Sequence, residues 1–211
     1  MIDVWVRHVD ACWFGVAEHE GRLVATVLAR SRNEAVLDIR RCLPAGAPCR
    51  FPDQPSEFAV ATAAMLARLE RGDESDKHFE LSAEYVPEPA FSVLRAAAAI
   101  PHGYVSTYGD IAAVGHTNAR VVGGLMAHNP LYPIVACHRV VGHDMSLVGY
   151  TGRSTFLALR AKLDRLRAEA RGFSEERVIE SAGGLRVVPV ERVIARAEPE
   201  IKAAEQQLTL W

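Results

Sequence analysis

The stretch Thr107-Tyr108-Gly109-Asp110-Ile111-Ala112-Ala113-Val114-Gly115-His116-Thr117-Asn118-Ala119-Arg120-Val121-Val122-Gly123-Gly124-Leu125-Met126-Ala127-His128 decides how this chain is read. Thr107 and Asp110 form a Thr-x-x-Asp pattern, which satisfies free backbone donors at a helix start. The first helix is expected over Tyr108–Val114. Gly115-His116-Thr117-Asn118 reads as a tight turn, and Thr117 and Asn118 are both good N-caps for a second helix over Ala119–His128. Two short helices joined by a glycine-containing turn make a helix-turn-helix candidate, a device that places its second helix against DNA. Short helix pairs also occur in ordinary all-α domains, so the pattern needs support from elsewhere in the chain.

Upstream, Phe91–Ile100 reads as an apolar helix closed by Pro101-His102-Gly103. Pro87-Glu88-Pro89 marks a boundary, because a residue before proline is pushed out of helical geometry. Trp13–Ala17 and Leu23–Ala29 are β-prone runs around a polar, glycine-containing loop and read as a hairpin. Ser31–Arg41 and Phe58–Arg71 read as helices, the second stopped at Gly72, with a Pro/Gly-rich loop between them. Downstream, the chain after Asn129-Pro130 reads as extended to Val141. Ser154–Glu169 is expected to be a helix whose apolar stripe is Phe156, Leu157, Leu159, Leu163 and Leu166. Arg177–Ile194 reads as two strands around Ala182-Gly183-Gly184, followed by a polar tail to Trp211. The expected class is α+β: an N-terminal αβ domain with a small antiparallel sheet (1–86), a mostly helical domain carrying the helix-turn-helix (87–172), and an extension without an assigned role (173–211).

The net charge of −2 does not announce a nucleic-acid binder. Between Pro101 and Arg165, however, Arg120, Arg139, Arg153, Arg160, Lys162 and Arg165 face only Asp110, Asp144 and Asp164, so this segment is basic within a neutral whole. No run approaches the ~18 apolar residues of a membrane span. The N-terminus lacks a basic start before an apolar core, so no secretory leader is read and the cytoplasm is the expected compartment. The cysteines are Cys12, Cys42, Cys49 and Cys137. No Cys-x-x-Cys pair is present, and neither a metal nor a cofactor is expected. Cys42 and Cys49 are near enough in sequence to pair, although a cytosolic protein keeps such thiols reduced.

Cys137 stands in Ala136-Cys137-His138-Arg139-Val140-Val141. Its apolar flanks suit a buried, inert thiol. His138 and Arg139 point the other way, since neighbouring cations lower a thiol's pKa and raise its thiolate fraction. In a strand, consecutive side chains point to opposite faces, so a Cys137–His138 partnership requires a turn or a bridging water.

From Ile100 to Arg153 the chain resembles the C-terminal domain of the O6-alkylguanine-DNA alkyltransferases. The resemblance is carried by Ile100-Pro101-His102-Gly103, Thr107-Tyr108-Gly109-Asp110-Ile111-Ala112, Arg120-Val121-Val122-Gly123-Gly124, Asn129-Pro130, Cys137-His138-Arg139-Val140-Val141 and Gly149-Tyr150-Thr151-Gly152, in order and at matching spacing. The resemblance implies a ribonuclease-H-like N-terminal domain and a DNA repair protein that flips O6-alkylguanine out of duplex DNA. It implies irreversible alkyl transfer to Cys137, acting once, as a monomer on double-stranded DNA.

By the same resemblance, His138 activates Cys137 through a water, and a carboxylate in the following helix holds His138. A count without gaps puts that acid at Asp164. Asn129 is the implied hinge, Arg120 fills the space left by the extruded base, and Tyr108 assists the leaving guanine. Ala119, Val121, Gly123 and Gly124 are the implied small residues that approach the minor groove, and Val148, Gly149, Tyr150, Thr151 and Gly152 the lid over the base. Three positions depart from the family pattern. Ala136 replaces the proline before the cysteine, Tyr132-Pro133 replaces a small residue then proline, and Arg153 replaces a second glycine. The runner-up reading is a non-catalytic alkyltransferase-like protein that binds alkylated DNA and signals to another pathway; the presence of Cys137 argues against it. The chemistry fits the main reading. A stacked base must be extruded at a cost of a few kcal/mol, displacement at an alkyl carbon suits a thiolate, and the thioether product has no easy route back.

Overall fold

The structure, a computed structural model, describes residues 1–75 and 77–208. The chain forms two compact units, one of Met1–Phe91 with Asn129–Val135, the other of Ser92–His128 with Ala136 onward. The last residues of the polar tail, 209–211, lie outside the described residues.

In the first unit, β1 (Ile2–Val9), β2 (Cys12–His19) and β3 (Arg22–Ala29) form an antiparallel meander. The β2–β3 turn works because Glu20 and Gly21 take φ of 51° and 71°, which matches the twist of the flanking strands. Helix α1 (Arg32–Cys42) starts at Ser31, whose hydroxyl accepts the Glu34 N–H, while the Glu34 carboxylate accepts the Arg30 N–H. The short strand β4 (Cys49–Arg50) runs parallel to β1, giving the order β3-β2-β1-β4. Helix α2 (Glu57–Glu70) is capped by Ser56. Ile2, Val4, Ala17, Val24, Ala25, Ala35 and Ile39 are buried together between the sheet and α1. Cys12, Cys42 and Cys49 are free thiols, so the pairing considered for Cys42 and Cys49 is not made.

In the second unit, α3 (Ala90–Ala98) leads to β5 (Tyr104–Thr107), then α4 (Tyr108–Val114) and α5 (Ala119–Ala127). Thr107 Oγ1 caps α4 through the Asp110 N–H, and Asn118 Oδ1 caps α5 through the N–H groups of Arg120 and Val121. Gly115 between them admits no side chain, since a Cβ there would stand 2.8 Å from Val93. This is the helix-turn-helix the sequence announces.

The extended reading from Leu131 to Val141 holds only for its end. Cys137–Arg139 make a single 3₁₀ turn before β6 (Val140–Val141), which pairs parallel with β5. Helix α6 (Phe156–Glu169) follows, capped by Thr155. Its stripe differs from expectation at Leu157, which is 76% exposed. After β7 (Arg177–Ile179) and β8 (Leu185–Pro189), the two strands read over Arg177–Ile194 stop at Pro189, and the chain becomes helix α7 (Val190–Leu208). The reason is spacing: Val190, Val193, Ala197 and Ile201 recur every three or four residues and bury one helical face. They share a core with Val105, Val141, Leu163, Leu166 and Val188, so the extension beyond residue 173 is built into this unit. Its sheet has the order β6-β5-β8-β7. Among the described residues, no helix is long and apolar enough to cross a membrane.

Candidate active site

The 3₁₀ turn settles how adjacent residues can serve one site. With three residues per turn, Cys137, His138 and Arg139 project about 120° apart rather than to opposite faces. All three are buried. Cys137 lines a cavity of about 330 Å³ whose walls are Tyr108, Ala119, Gly123, Met126, Ala127 and the segment Val148–Ser154. The thiol thus lies in a pocket shared by both helices of the helix-turn-helix and the expected lid.

His138 is held by Glu169, the last residue of α6. Its Nε2 lies 2.6 Å from Glu169 Oε1. Arg139 Nε donates to both Glu169 oxygens, at 3.0 and 2.8 Å, and Nη2 to Oε1 at 2.9 Å; Nη1 donates to the Ile100 carbonyl. The Gly103 N–H also donates to Glu169 Oε2, at 3.3 Å. Burial alone would push the Glu169 carboxyl up, but the His138 and Arg139 hydrogen bonds and charges outweigh it and hold the group at about 2. Burial moves His138 the other way, below the ordinary histidine range, with Glu169 opposing only in part. His138 is therefore a neutral imidazole at pH 7. Its Nε2–H donates to Glu169, which leaves Nδ1 as a lone pair; among the described residues the buried Nδ1 has no protein partner.

Asp164 does not hold His138. It faces solvent and pairs with Arg167 at 2.9 Å and with Arg160 at 3.8 Å. Counting without gaps ignores the length of the Gly142–Thr155 loop and stops five residues short of Glu169. Five residues turn a helix by about 140° beyond a full circle, onto a different face. A signal was present in the sequence. Lys162, Leu166 and Glu169 continue the apolar stripe of α6 at helical spacing, and a charged residue on a buried stripe calls for a partner.

Lys162 was likewise missed. Its side chain is fully buried, and its ammonium gives one hydrogen bond to each of three carbonyls, Val140 at 2.6 Å, Leu147 at 2.8 Å and Gly149 at 3.0 Å. This ties the strand after the 3₁₀ turn to the loop that carries Gly149. Burial lowers Lys162 to about 8, and the charge of the Cys137 thiolate opposes that shift. Burial, and then the Cys137 charge, raise the Tyr108 hydroxyl.

The segment Val148–Gly152, the expected lid, is a strained loop. Val148 and Thr151, both β-branched, take φ of 58° and 48°. Tyr150 and Arg153 exchange backbone hydrogen bonds at 2.8 and 3.0 Å, closing the Tyr150–Arg153 turn. Of the other expected residues, Arg120 is exposed on the first turn of α5. Val121 and Gly124 lie on α5 away from the cavity lining, and a Cβ at Gly123 or Gly124 would meet nothing within 4 Å, so this face of the helix is open. Asn129 ties its own loop in the first unit: Nδ2 donates to the Val135 carbonyl at 2.7 Å and Oδ1 accepts the Leu131 N–H at 3.1 Å. Among the described residues no group of His, Cys, Asp and Glu is arranged to hold a metal ion.

Fold and site define a helix-turn-helix protein with a buried thiol beside a neutral, carboxylate-anchored histidine. Residues 90–171 match the family model of the 6-O-methylguanine DNA methyltransferase DNA-binding domain. A methylated-DNA–protein-cysteine methyltransferase of Methanocaldococcus jannaschii is 34% identical over 116 residues, covering 52% of this chain and 69% of that protein. One from Pyrobaculum aerophilum is 60% identical over 53 residues, 25% of this chain and 36% of its own. The matched stretch spans a third to a half of the first curated relatives. The crystal structure of O6-methylguanine-DNA methyltransferase from the archaeon Pyrococcus kodakaraensis is 28% identical, covers 81% of this chain and all of its own, and superposes with a TM-score of 0.50. Mycobacterium tuberculosis OGT in complex with DNA, 22% identical, shares the fold with a TM-score of 0.54 over 91% of this chain and 98% of its own. This chain belongs to the methylated-DNA–protein-cysteine methyltransferase family.

Proposed function

We propose that this protein repairs O6-alkylguanine in duplex DNA by moving the alkyl group to Cys137, once per molecule. The observation that carries the proposal is the buried Nδ1 lone pair of His138, fixed by the Glu169 contact at Nε2, in the same 3₁₀ turn as a thiol that lines a lidded cavity. The Cys137 proton passes to His138 Nδ1, directly or through a water. The thiolate sulfur attacks the alkyl carbon, the carbon–O6 bond breaks, and its electron pair leaves with the guanine. The guanine regains a proton from the Tyr108 hydroxyl, which lines the same cavity. The thioether has no good leaving group, so the thiol is consumed.

Duplex DNA is the proposed partner. The open face of α5, with Ala119, Val121, Gly123 and Gly124, suits close approach to the minor groove, where readout is largely degenerate and repair need not depend on sequence. Arg120 stands at that face as the side chain that takes the extruded base's place. Val148, Gly149, Tyr150, Thr151 and Gly152 close over the base with backbone groups. The test is transfer of a labelled methyl group from an O6-methylguanine duplex. Label is expected on the protein up to one equivalent and absent from Cys137→Ser. Retention of the duplex without label on the wild-type protein overturns alkyl transfer.

A further inference from the structure

The turn after α6 presents three consecutive backbone N–H groups to one oxygen. Arg171, Gly172 and Phe173 donate to Glu191 Oε1 at 3.0, 2.6 and 3.1 Å. Gly172, at φ of 74°, supplies the left-handed bend that aims successive amides at one anion. Burial raises the Glu191 carboxyl, but these donors and the residue's own amide outweigh it and keep the group ionised. Its other oxygen, Oε2, is buried without a hydrogen bond among the described residues, so this carboxylate is held through Oε1.

Glu191 opens α7, far along the chain from the site, yet its junction with β8 reaches Glu169 by two routes. The amides bound to Glu191 begin two residues after Glu169. On the other side, the Val190 N–H donates to the Gly103 carbonyl at 3.0 Å, and the Gly103 N–H donates to Glu169 Oε2 at 3.3 Å. Gly103 leaves no room for a side chain, because a Cβ would stand 2.8 Å from the Phe173 ring and 3.3 Å from the Glu169 carbonyl. Phe173 stacks on Tyr104 at 5.1 Å, and the Arg177 guanidinium lies over both rings. The end of α6 is therefore gripped by the segment beyond residue 173.

We propose that Glu191 is a positioning residue for alkyl transfer: by anchoring the Arg171–Phe173 turn it fixes the Glu169 carboxylate that orients His138. The proposal rests on the reading of Cys137 as the alkyl acceptor and His138 as its base. It makes β7, β8 and α7 a frame for the reaction rather than an appendage.

The experiment compares full-length wild type, Glu191→Ala, Glu191→Gln and Glu191→Asp in three readouts. These are the single-turnover rate with free O6-benzylguanine, the affinity for duplex DNA, and the His138 tautomer from ring nitrogen NMR shifts. Glu191→Ala is expected to slow transfer about tenfold to a hundredfold, the scale of a small misplacement of a reacting group. Its affinity for duplex DNA stays at the wild-type level, since Glu191 lies outside α4, α5 and the cavity lining. The His138 signal changes from one tautomer, protonated at Nε2, to a mixture. Glu191→Gln, which keeps an oxygen acceptor, recovers most of the rate. A folded Glu191→Ala protein with wild-type rate and a single tautomer overturns the proposal. If that variant does not fold, Glu191→Asp decides: its carboxylate is too short for the turn, and a wild-type rate and tautomer there overturn the proposal as well. A wild-type protein that leaves Cys137 unmodified refutes the alkyl-transfer reading instead, and the tautomer still reports whether Glu191 orients His138.

Discussion

Replacing Glu169 by glutamine tests the core of the site with little change in shape. The carboxylate accepts His138 Nε2, three contacts from Arg139 and the Gly103 N–H. Removing its charge leaves the Arg139 guanidinium buried without its counter-ion, a loss of about 3–5 kcal/mol. The carboxyl's displacement from 4.5 to about 2 gives an independent figure, about 3 kcal/mol at about 1.4 kcal/mol per pKa unit. For a chain of this size a loss of about 3 kcal/mol lowers the melting temperature by roughly 10 °C. The sign with pH follows from the depressed value. Glu169 stabilises the wild-type fold fully above its unfolded pKa, and that contribution is lost as pH falls from about 4.5 through about 2. The melting difference between the two proteins should therefore be full at pH 7 and shrink toward pH 2. Glutamine keeps one acceptor oxygen, for which His138 Nε2 and Arg139 compete, and turns an NH2 toward the remaining donors, so the His138 tautomer is no longer fixed and transfer should slow about a hundredfold or more. Asp164→Asn is the control, since an exposed ion pair is worth about 1 kcal/mol at most. Thermal melts and single-turnover rates with O6-benzylguanine decide the matter. A Glu169→Gln protein that melts and reacts as wild type, or an Asp164→Asn protein that takes the losses, refutes the role of Glu169.

The rate of transfer should fall above about 8 as Lys162 loses its proton, its three carbonyls lose one donor and the site loses a cation beside Cys137. Lys162→Met should react slowly at every pH and show no falling limb; a wild-type plateau to pH 10 contradicts this. Arg120→Ala should slow repair of duplex DNA by about tenfold to a hundredfold, because the inserted side chain offsets part of a base-extrusion cost of a few kcal/mol. The same variant should leave reaction with free O6-benzylguanine unchanged, and equal losses on both substrates refute the intercalating role. The salt dependence of its duplex affinity should change little, because an inserted side chain, unlike a phosphate contact, releases no counterion; a slope reduced by about 1 marks a phosphate contact instead.

Local chemistry made parts of the fold readable. The Thr107 and Asn118 caps and the packed Gly115 place α4 and α5 to within a residue, because caps and turns are set by the residues that form them. The β2–β3 hairpin of the first unit follows from two β-prone runs around a glycine turn. The 3₁₀ turn at Cys137 did not show, since Ile134, Val135, Val140 and Val141 give an extended signal and a single turn carries no period. The start of α7 was hidden by the strand-like run Val187-Val188-Pro189-Val190 before it, although the 190, 193, 197, 201 spacing was there to count. Within the site, Cys137 and His138 were legible as candidates from their chemistry, and Tyr108 only through the family resemblance. Glu169 was not, because its role depends on how many residues the Gly142–Thr155 loop spends before α6, and a distance along the chain does not report a distance in space. Glu191 lies beyond the reach of any local pattern, as its partners are backbone amides of another turn.

One sulfur, that of Cys137, carries the reaction. The wild-type protein is incubated with duplex DNA carrying a single O6-methylguanine and digested, and the peptide containing Cys137 is weighed by mass spectrometry. One methyl group on Cys137, none on Cys12, Cys42 or Cys49, and an equal amount of restored guanine in the DNA is the predicted result. An unmodified Cys137 peptide from protein that has bound the duplex contradicts it.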